Sequence, residues 1–266
     1  MYSYHIHSTF SDGVNTPEEI VRAAIEKGML AIGFSDHGYT NFDLRYCMKD
    51  TAGYRAEIIR LKEMYKNDIQ IYLGIEEDAF QPAERSQFDY IIGSYHYFCK
   101  DNQYYPIDSN YDYFKECLKV FQHDIVTMTE TYYTTFCEYI ARRKPDVIGH
   151  FDLITKFDEL DTSLFLDNKK YCEIAEKYVN IAAQSGCLFE VNTGAIARGL
   201  RTAPYPSEHL LHHLRKADAK LVLASDSHAI ETMNFQFDET RKYLRDIGFA
   251  YAYAFLNGKW ERYELI

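Results

Sequence analysis

The sequence predicts an α/β barrel built on seven parallel strands. Short apolar runs of the kind that buried parallel strands require recur along the 266-residue chain. Helical patterns with start and stop signals separate most of them. Metal-ligating side chains follow nearly every run, as expected where strand ends open on one catalytic face.

The first run, residues 2–5, leads to a helix whose signals are complete: Thr16 caps it, Pro17 occupies the first turn, Glu19 completes a capping box and Gly28 ends it. Ile20, Ala23, Ala24 and Met29 supply its buried side. The second run, 30–34, follows directly. A helix is expected over 54–67, strands over 69–75 and 88–92, and helical pattern over 111–143. Next come a strand at 146–149, a helix at 169–184, a strand at 187–191, a helix at 207–216, a strand at 220–224 and a helix at 238–245. A last extended run at 250–255 closes the series.

Strand followed by helix in this order implies a mainly parallel sheet with right-handed crossovers. Seven core strands suit a barrel better than a small open sheet, and α/β barrels often fill about 250 residues as one domain. No linker rich in Pro, Gly or Ser, no low-complexity tract and no repeat marks a boundary, so residues 1–266 read as one domain. The segment 95–133, heavy in Tyr and Phe, is the candidate for an insertion or lid over a pocket; its other reading is an aromatic packing surface on helices.

With 40 acidic and 29 basic residues the chain carries a formal charge of -11, which gives no general attraction to nucleic acid or anionic membranes. A small-molecule substrate is expected, with no nucleic-acid or membrane partner. No apolar stretch of about 18 residues occurs, and Met1-Tyr-Ser-Tyr-His5 lacks the basic-then-apolar pattern of a signal peptide, so a cytoplasmic location is expected. The six cysteines are scattered without the spacing of a zinc knuckle or redox motif and read as reduced thiols.

The chemistry gathers at the strand ends. His5 and His7, then Asp12, follow the first run; Asp36-His37 the second; Glu76 the third; His96 the fourth; His150 the fifth; and Asp226-Ser-His228 the seventh. Residues two apart on a strand point the same way, so His5 with His7, and Asp226 with His228, can each present a pair of ligands to one mouth. Mixed imidazole and carboxylate donors suit zinc, iron or manganese, and the lack of convergent thiolates argues against a structural zinc site. Three protein ligands per ion leave room for water, so nine of these, His5, His7, Asp12, His37, Glu76, His96, His150, Asp226 and His228, could serve three ions with Glu76 bridging two. His123, His209, His212 and His213 lie in helical pattern and are not counted among the ligands; His212 and His213 are adjacent and cannot share a face.

The motifs His5-Ile-His7-Ser-Thr-Phe-Ser-Asp12-Gly13, Phe34-Ser-Asp36-His37, Gly74-Ile-Glu76, Gly93-Ser-Tyr-His96, Gly149-His150 and Ser225-Asp226-Ser-His228 together resemble the PHP family, the polymerase and histidinol phosphatase superfamily. The resemblance implies a distorted seven-stranded TIM-like (β/α)7 barrel with two or three metal ions at its C-terminal mouth. By motif, one ion would be held by His5, His7, Glu76 and Asp226, a second by Glu76, His96 and His150, and a third by Asp12, His37 and His228. The segments Gly149-His-Phe-Asp-Leu-Ile154 and Glu190-Val-Asn192-Thr-Gly194 through Arg198, with Tyr205-Pro-Ser207 following, look like the histidinol-phosphate phosphatase branch. In that branch basic side chains beside the metals grip the phosphate; the matching positions are Lys156 and Arg198, with Arg201 the substitute where Lys156 replaces the usual arginine.

The expected activity is therefore metal-dependent hydrolysis of a phosphate monoester, L-histidinol phosphate to L-histidinol and phosphate in histidine biosynthesis. Arg198 would stabilise the phosphoryl oxygens, and His228 would be a proton donor if the third site is empty. A phosphatase or phosphodiesterase acting on nucleotides or nucleic-acid ends is the second reading, disfavoured by the acidic charge and the lack of a basic aromatic groove. A non-catalytic metal-binding scaffold is the third, disfavoured because all nine ligand-type residues are present.

Overall fold

The protein is described here from a computed structural model in which residues 1–160 and 164–266 are placed. The first half runs β1 (Tyr2–Ser3), α1 (Pro17–Glu26), β2 (Ala31–Phe34), α2 (Thr51–Met64), β3 (Gln70–Asp78), β4 (Tyr90–Ser94), β5 (Tyr97–Lys100), β6 (Gln103–Pro106) and α3 (Tyr111–Val120). The second half runs α4 (Ile125–Arg143), β7 (Val147–Ile148), α5 (Lys169–Ala183), β8 (Leu188–Asn192), α6 (Gly194–Ala197), α7 (Glu208–Lys216), β9 (Leu221–Ala224), α8 (Phe237–Ile247), β10 (Tyr251–Leu256) and β11 (Lys259–Glu264).

Seven strands form one sheet in the order β1-β2-β3-β4-β7-β8-β9, and every neighbouring pair is parallel. The remaining seam is stitched just beyond the strand ends. The amide of His7 donates to the Ser227 carbonyl at 2.8 Å and that of Ser227 to the His5 carbonyl at 3.1 Å, so Ile6 and Ser227 form a parallel bridge. The barrel is thus nearly closed, and its last closure is made by the segments that carry His5, His7 and Asp226.

Period-two alternation sorts the strand residues. Ile32, Phe34, Ile71 and Leu73 face outward into a cluster with Ile20, Val21 and Ile58 of α1 and α2. The inward set begins with an apolar floor that includes Tyr4, Tyr72, Tyr90, Val147 and Val222. Tyr90 crosses the lumen because β2 and β3 present glycines there: a Cβ on Gly33 would lie 2.3 Å from the Tyr90 hydroxyl, and one on Gly74 2.2 Å from its ring. The hydroxyl donates to the Tyr4 carbonyl at 2.5 Å. Below this floor the β10–β11 hairpin plugs the barrel, with Trp260 edge-on to Tyr4 and Tyr90.

Helix α1 has the cap its sequence specifies: the Thr16 side chain accepts from the Glu19 amide, and Glu19 Oε2 accepts from the Thr16 amide at 2.8 Å. Elsewhere the chain departs from expectation. The helical pattern over 111–143 is two helices, broken where Gln122 and His123 adopt left-handed backbone (φ 54 and 60) and Asp124 caps α4. His123 therefore sits in a turn rather than a helix. The 95–133 segment opens with an antiparallel β5–β6 hairpin, which its uniformly aromatic composition hid. The run at 250–255 does not end the chain's strands but pairs with β11, whose charged Lys, Glu and Arg residues mask its extended pattern. Among the described residues no helix is long and apolar enough to cross a membrane.

Candidate metal centre

Above the glycine layer the inward positions become polar, and the barrel's C-terminal mouth gathers the imidazoles and carboxylates. Glu76, two residues on from Gly74 along β3, reaches the centre. Its Oε2 lies 2.8 Å from His37 Nδ1, 3.3 Å from His5 Nε2 and 3.7 Å from His7 Nε2. Its Oε1 faces the other way, 3.1 Å from His150 Nε2 and 3.3 Å from His96 Nε2, and accepts from Ser94 Oγ at 2.6 Å. Asp226 Oδ1 lies 3.2 Å from His7 Nε2 and 3.6 Å from His5 Nε2. Toward solvent, Asp12 Oδ1 is 3.3 Å from His228 Nε2 and 3.7 Å from His37 Nε2.

The donor atoms test whether cations fit. Four donors about 2.1 Å from a zinc-type ion stand about 3.4 Å from one another in a tetrahedron, and most separations here are of that size rather than of hydrogen bonds. His5 Nε2, both nitrogens of His7 and Glu76 Oε2 are buried without a hydrogen-bond partner, a costly arrangement unless an ion satisfies them. Three sets of donors fall within 4.8 Å of one another: His7 with Asp12, His37 and His228; His5 with His7 and Glu76; and His37 with Glu76 and His96. The residues fit a cluster of metal ions. In this arrangement His7 and His37 each belong to two sets, a sharing that the strand-end spacing does not specify.

The electrostatics match a site that holds positive charge. Burial opposes the imidazolium of His5, but the carboxylates of Glu190, Glu76 and Asp226 outweigh it and raise its pKa well above the usual histidine range. His37 and His96 are raised against the same burial, chiefly by Glu76. His7, buried among other imidazoles, is pushed down to about 3. Burial disfavours the Glu76 and Asp226 anions, yet His5 and His37 beside the first, and Arg198 and His5 beside the second, hold both well below the carboxylate range.

Several residues that orient the donors were not singled out from the sequence. Glu190 Oε1 is 2.5 Å from His5 Nδ1, and its Oε2 accepts from the His150 amide at 2.8 Å. Asp78 Oδ2 takes the His96 amide at 3.1 Å and stands 3.4 Å from its Nδ1. A signal existed for both, since Glu190 interrupts an apolar strand and Asp78 lies two residues beyond Glu76 on the same face. Asp36, grouped with the strand-end donors in sequence, turns away: it accepts from the amides and hydroxyls of Ser8 and Ser11 and shapes the loop that carries Asp12.

A pocket of about 360 Å³ opens over the cluster. Arg198 lines it, its guanidinium donating to Asp226 Oδ2 at 2.9 Å and to the Asp226 carbonyl at 3.1 Å. Gly194 makes this approach possible, because a Cβ there would lie 2.9 Å from the guanidinium and from Asp226. Asp226 itself has left-handed backbone, φ 46, which aspartate tolerates better than most residues. Lys156 also lines the pocket. It is not a solvated loop lysine: only 8% exposed, it donates to the Asp108 carbonyl at 2.6 Å and stands 3.3 Å from Asp108 Oδ2.

Arg201 is a correction. It does not line the pocket but lies buried behind it, donating to Thr155 Oγ1 and to Ser207 Oγ, with its guanidinium 4.4 Å from the Tyr205 ring centre. The turn after α6 carries the chain away from the mouth, so three residues beyond Arg198 the side chain points into the wall.

The family model described as "PHP domain" matches residues 3–194. A Schizosaccharomyces pombe protein named "Probable histidinol-phosphatase" is 26% identical over 252 residues, covering 87% of this chain and 81% of that protein. A Lactococcus lactis protein named histidinol-phosphatase is 24% identical over 257 residues, covering 92% of this chain and 91% of that one. The solved histidinol phosphate phosphatase of Lactococcus lactis, in complex with zinc, L-histidinol and phosphate, superposes with a TM-score of 0.74 at 21% identity, covering 98% of each chain.

Proposed function

The chain belongs to the PHP domain family, and we propose that it is a metal-dependent phosphomonoesterase that hydrolyses L-histidinol phosphate to L-histidinol and phosphate. The observation that carries this reading is the convergence of nine imidazole and carboxylate donors, several of them buried and unpartnered, beneath a pocket whose wall carries the cationic side chains of Lys156 and Arg198. The relatives' named activity supports the choice of substrate. The chain is read as a single domain, with the 95–133 segment as the rim of the pocket, acting in the cytoplasm in histidine biosynthesis.

His5, His7, Glu76 and Asp226 would hold one ion, Glu76, His96 and His150 a second, and Asp12, His37 and His228 a third, of zinc, iron or manganese. When bound, such ions supply the positive charge and the acidified water that monoester hydrolysis requires. The chain's own residues do the rest. Arg198 presents a planar fork to two phosphoryl oxygens and is already aimed by Asp226. Lys156, which also lines the pocket, adds a point charge. The phosphorus gains the water oxygen and loses the ester oxygen, which leaves as the alcohol after taking up a proton. His228, part-exposed at the pocket with Nδ1 3.1 Å from the Asp226 carbonyl and Nε2 3.3 Å from Asp12 Oδ1, would hold that proton on Nε2 when the outer site is empty.

Phosphate release from L-histidinol phosphate, nucleoside monophosphates and phosphotyrosine, with Arg198→Ala and His96→Ala as comparisons, tests the proposal. Preference for histidinol phosphate, lost in both variants, supports it. Equal or better turnover of nucleotides overturns the substrate assignment.

A further inference from the structure

Four aspartates line the pocket, and three are committed. Asp12 and Asp226 face the imidazole cluster. Asp43 is saturated: its Oδ1 accepts from the Arg45 backbone amide and Nε at 3.1 and 2.9 Å, and its Oδ2 from the Arg45 guanidinium at 2.6 Å and the Tyr97 hydroxyl at 2.9 Å. Asp108 differs. Its single side-chain partner among the described residues is Lys156, 3.3 Å from Oδ2, which leaves Oδ1 open to the pocket.

Asp108 stands just past β6, at the end of the hairpin that follows β4, and that wall is rigidly fixed. Phe42 stacks on Tyr104 with ring centres 3.9 Å apart, Tyr46 stacks on Tyr97, and the Ile107 amide donates to the His96 carbonyl at 2.8 Å. The open carboxylate is therefore held next to the lysine that would grip the phosphate. A ligand whose phosphate meets Lys156 presents its first few carbons to Asp108.

From this juxtaposition we propose that Asp108 determines specificity by accepting a hydrogen bond from an ammonium group two carbons from the ester oxygen, so that the site selects phosphate monoesters of 2-amino alcohols. The inference rests on the phosphatase reading above. It places charges in alternation along the pocket: phosphate, Lys156, Asp108, substrate ammonium. On this side of the pocket Lys156 is paired with Asp108 and Arg45 with Asp43, so a ligand that brings a phosphate to Lys156 and an ammonium to Asp108 keeps both charges matched.

The test compares L-histidinol phosphate with its analogue lacking the amine, 3-(imidazol-4-yl)propyl phosphate, in wild type, Asp108→Asn and Asp108→Glu, with melting temperatures to check folding. The expected result is a wild-type preference for the amine in kcat/KM that drops by about tenfold or more in Asp108→Asn, the loss of one charge-assisted hydrogen bond, and is partly restored in Asp108→Glu. If Asp108 serves only to hold Lys156, both esters slow together and the ratio stays put, which overturns the proposal. Calorimetric binding of L-histidinol, which has no phosphate, separates this from the phosphatase reading. Should wild type hydrolyse neither ester, binding that is present in wild type and lost in Asp108→Asn still supports Asp108 as the amine acceptor, and equal binding by both, or none by wild type, refutes it.

Discussion

Glu190 joins two members of the imidazole cluster from beneath: one carboxylate oxygen meets the His5 ring at 2.5 Å and the other takes the His150 amide at 2.8 Å. A single buried side chain on β8 thus fixes the ring orientation of a residue from the first strand and the backbone of a residue beyond the fifth strand of the sheet. With His5 Nδ1 engaged by Glu190, Nε2 is the nitrogen turned to the cluster.

Replacing Glu190 by Gln should therefore weaken metal binding by about 10- to 100-fold, the usual consequence of losing a carboxylate behind a ligating histidine. Calorimetric titration with zinc would measure it. Unchanged affinity in a folded Glu190→Gln protein would show that His5 is oriented by its strand alone.

Arg198 is held by Asp226 before any substrate arrives. Arg198→Ala should lower kcat/KM for the phosphate monoester by about 10²- to 10³-fold, as removal of one preorganised donor to a developing anion typically does. Arg198→Lys should recover little of this, because a point charge cannot bridge two oxygens. Steady-state kinetics on both variants, with bound metal quantified on the same samples, would distinguish loss of phosphate contact from loss of an ion beside Asp226.

Arg201 should behave in the opposite manner. Its contacts to Thr155 and Ser207 tie the loop before Lys156 to the loop after Arg198, and Ser207 in turn donates to Asp152 from its amide at 2.9 Å. Removing one partner from a buried charged network costs about 3–5 kcal/mol. Arg201→Met should accordingly lower the melting temperature by roughly 6 °C or more in a chain of this size. A variant that melts within a degree or two of wild type but has lost its affinity for phosphate would return Arg201 to the substrate.

Metal uptake should depend on pH with a definite sign. His5, His37 and His96 have pKa values raised above the unfolded value by neighbouring carboxylates that outweigh burial, so each binds a proton that an incoming cation must displace. Affinity should therefore rise as pH climbs through and above the usual histidine range, and binding should release protons. Titrations in buffers of different ionisation enthalpy would count them; no release, or tighter binding at acid pH, would mean that these imidazoles are already neutral.

Much of the barrel is readable because its strands are buried on both faces and so appear as plain apolar runs, with ligand-type residues where the runs stop. Glycine supplied a less obvious signal: Gly33 and Gly74 are where Tyr90 crosses the lumen, but nothing in the sequence pairs them with that tyrosine. The β5–β6 hairpin and β11 were missed for a related reason. Their outward faces carry Tyr, Lys, Glu and Arg, and two-stranded ribbons lack the apolar continuity that marks the central strands. Asp108 was invisible because its importance comes from Lys156, 48 residues away, and long-range pairing leaves no local pattern. Arg201 was misjudged since a loop's direction after a four-residue helix is decided by tertiary contacts.

The most direct measurement is phosphate release from L-histidinol phosphate by chelator-stripped protein titrated back with zinc, manganese or ferrous iron, with bound metal counted on each sample. Stripped protein should be inactive, activity should climb as two or three ions bind per chain, and Glu76→Gln should neither bind metal tightly nor hydrolyse the ester. Hydrolysis that persists without metal, or full metal loading without hydrolysis, would contradict the assignment of the barrel mouth as a metal-dependent phosphatase.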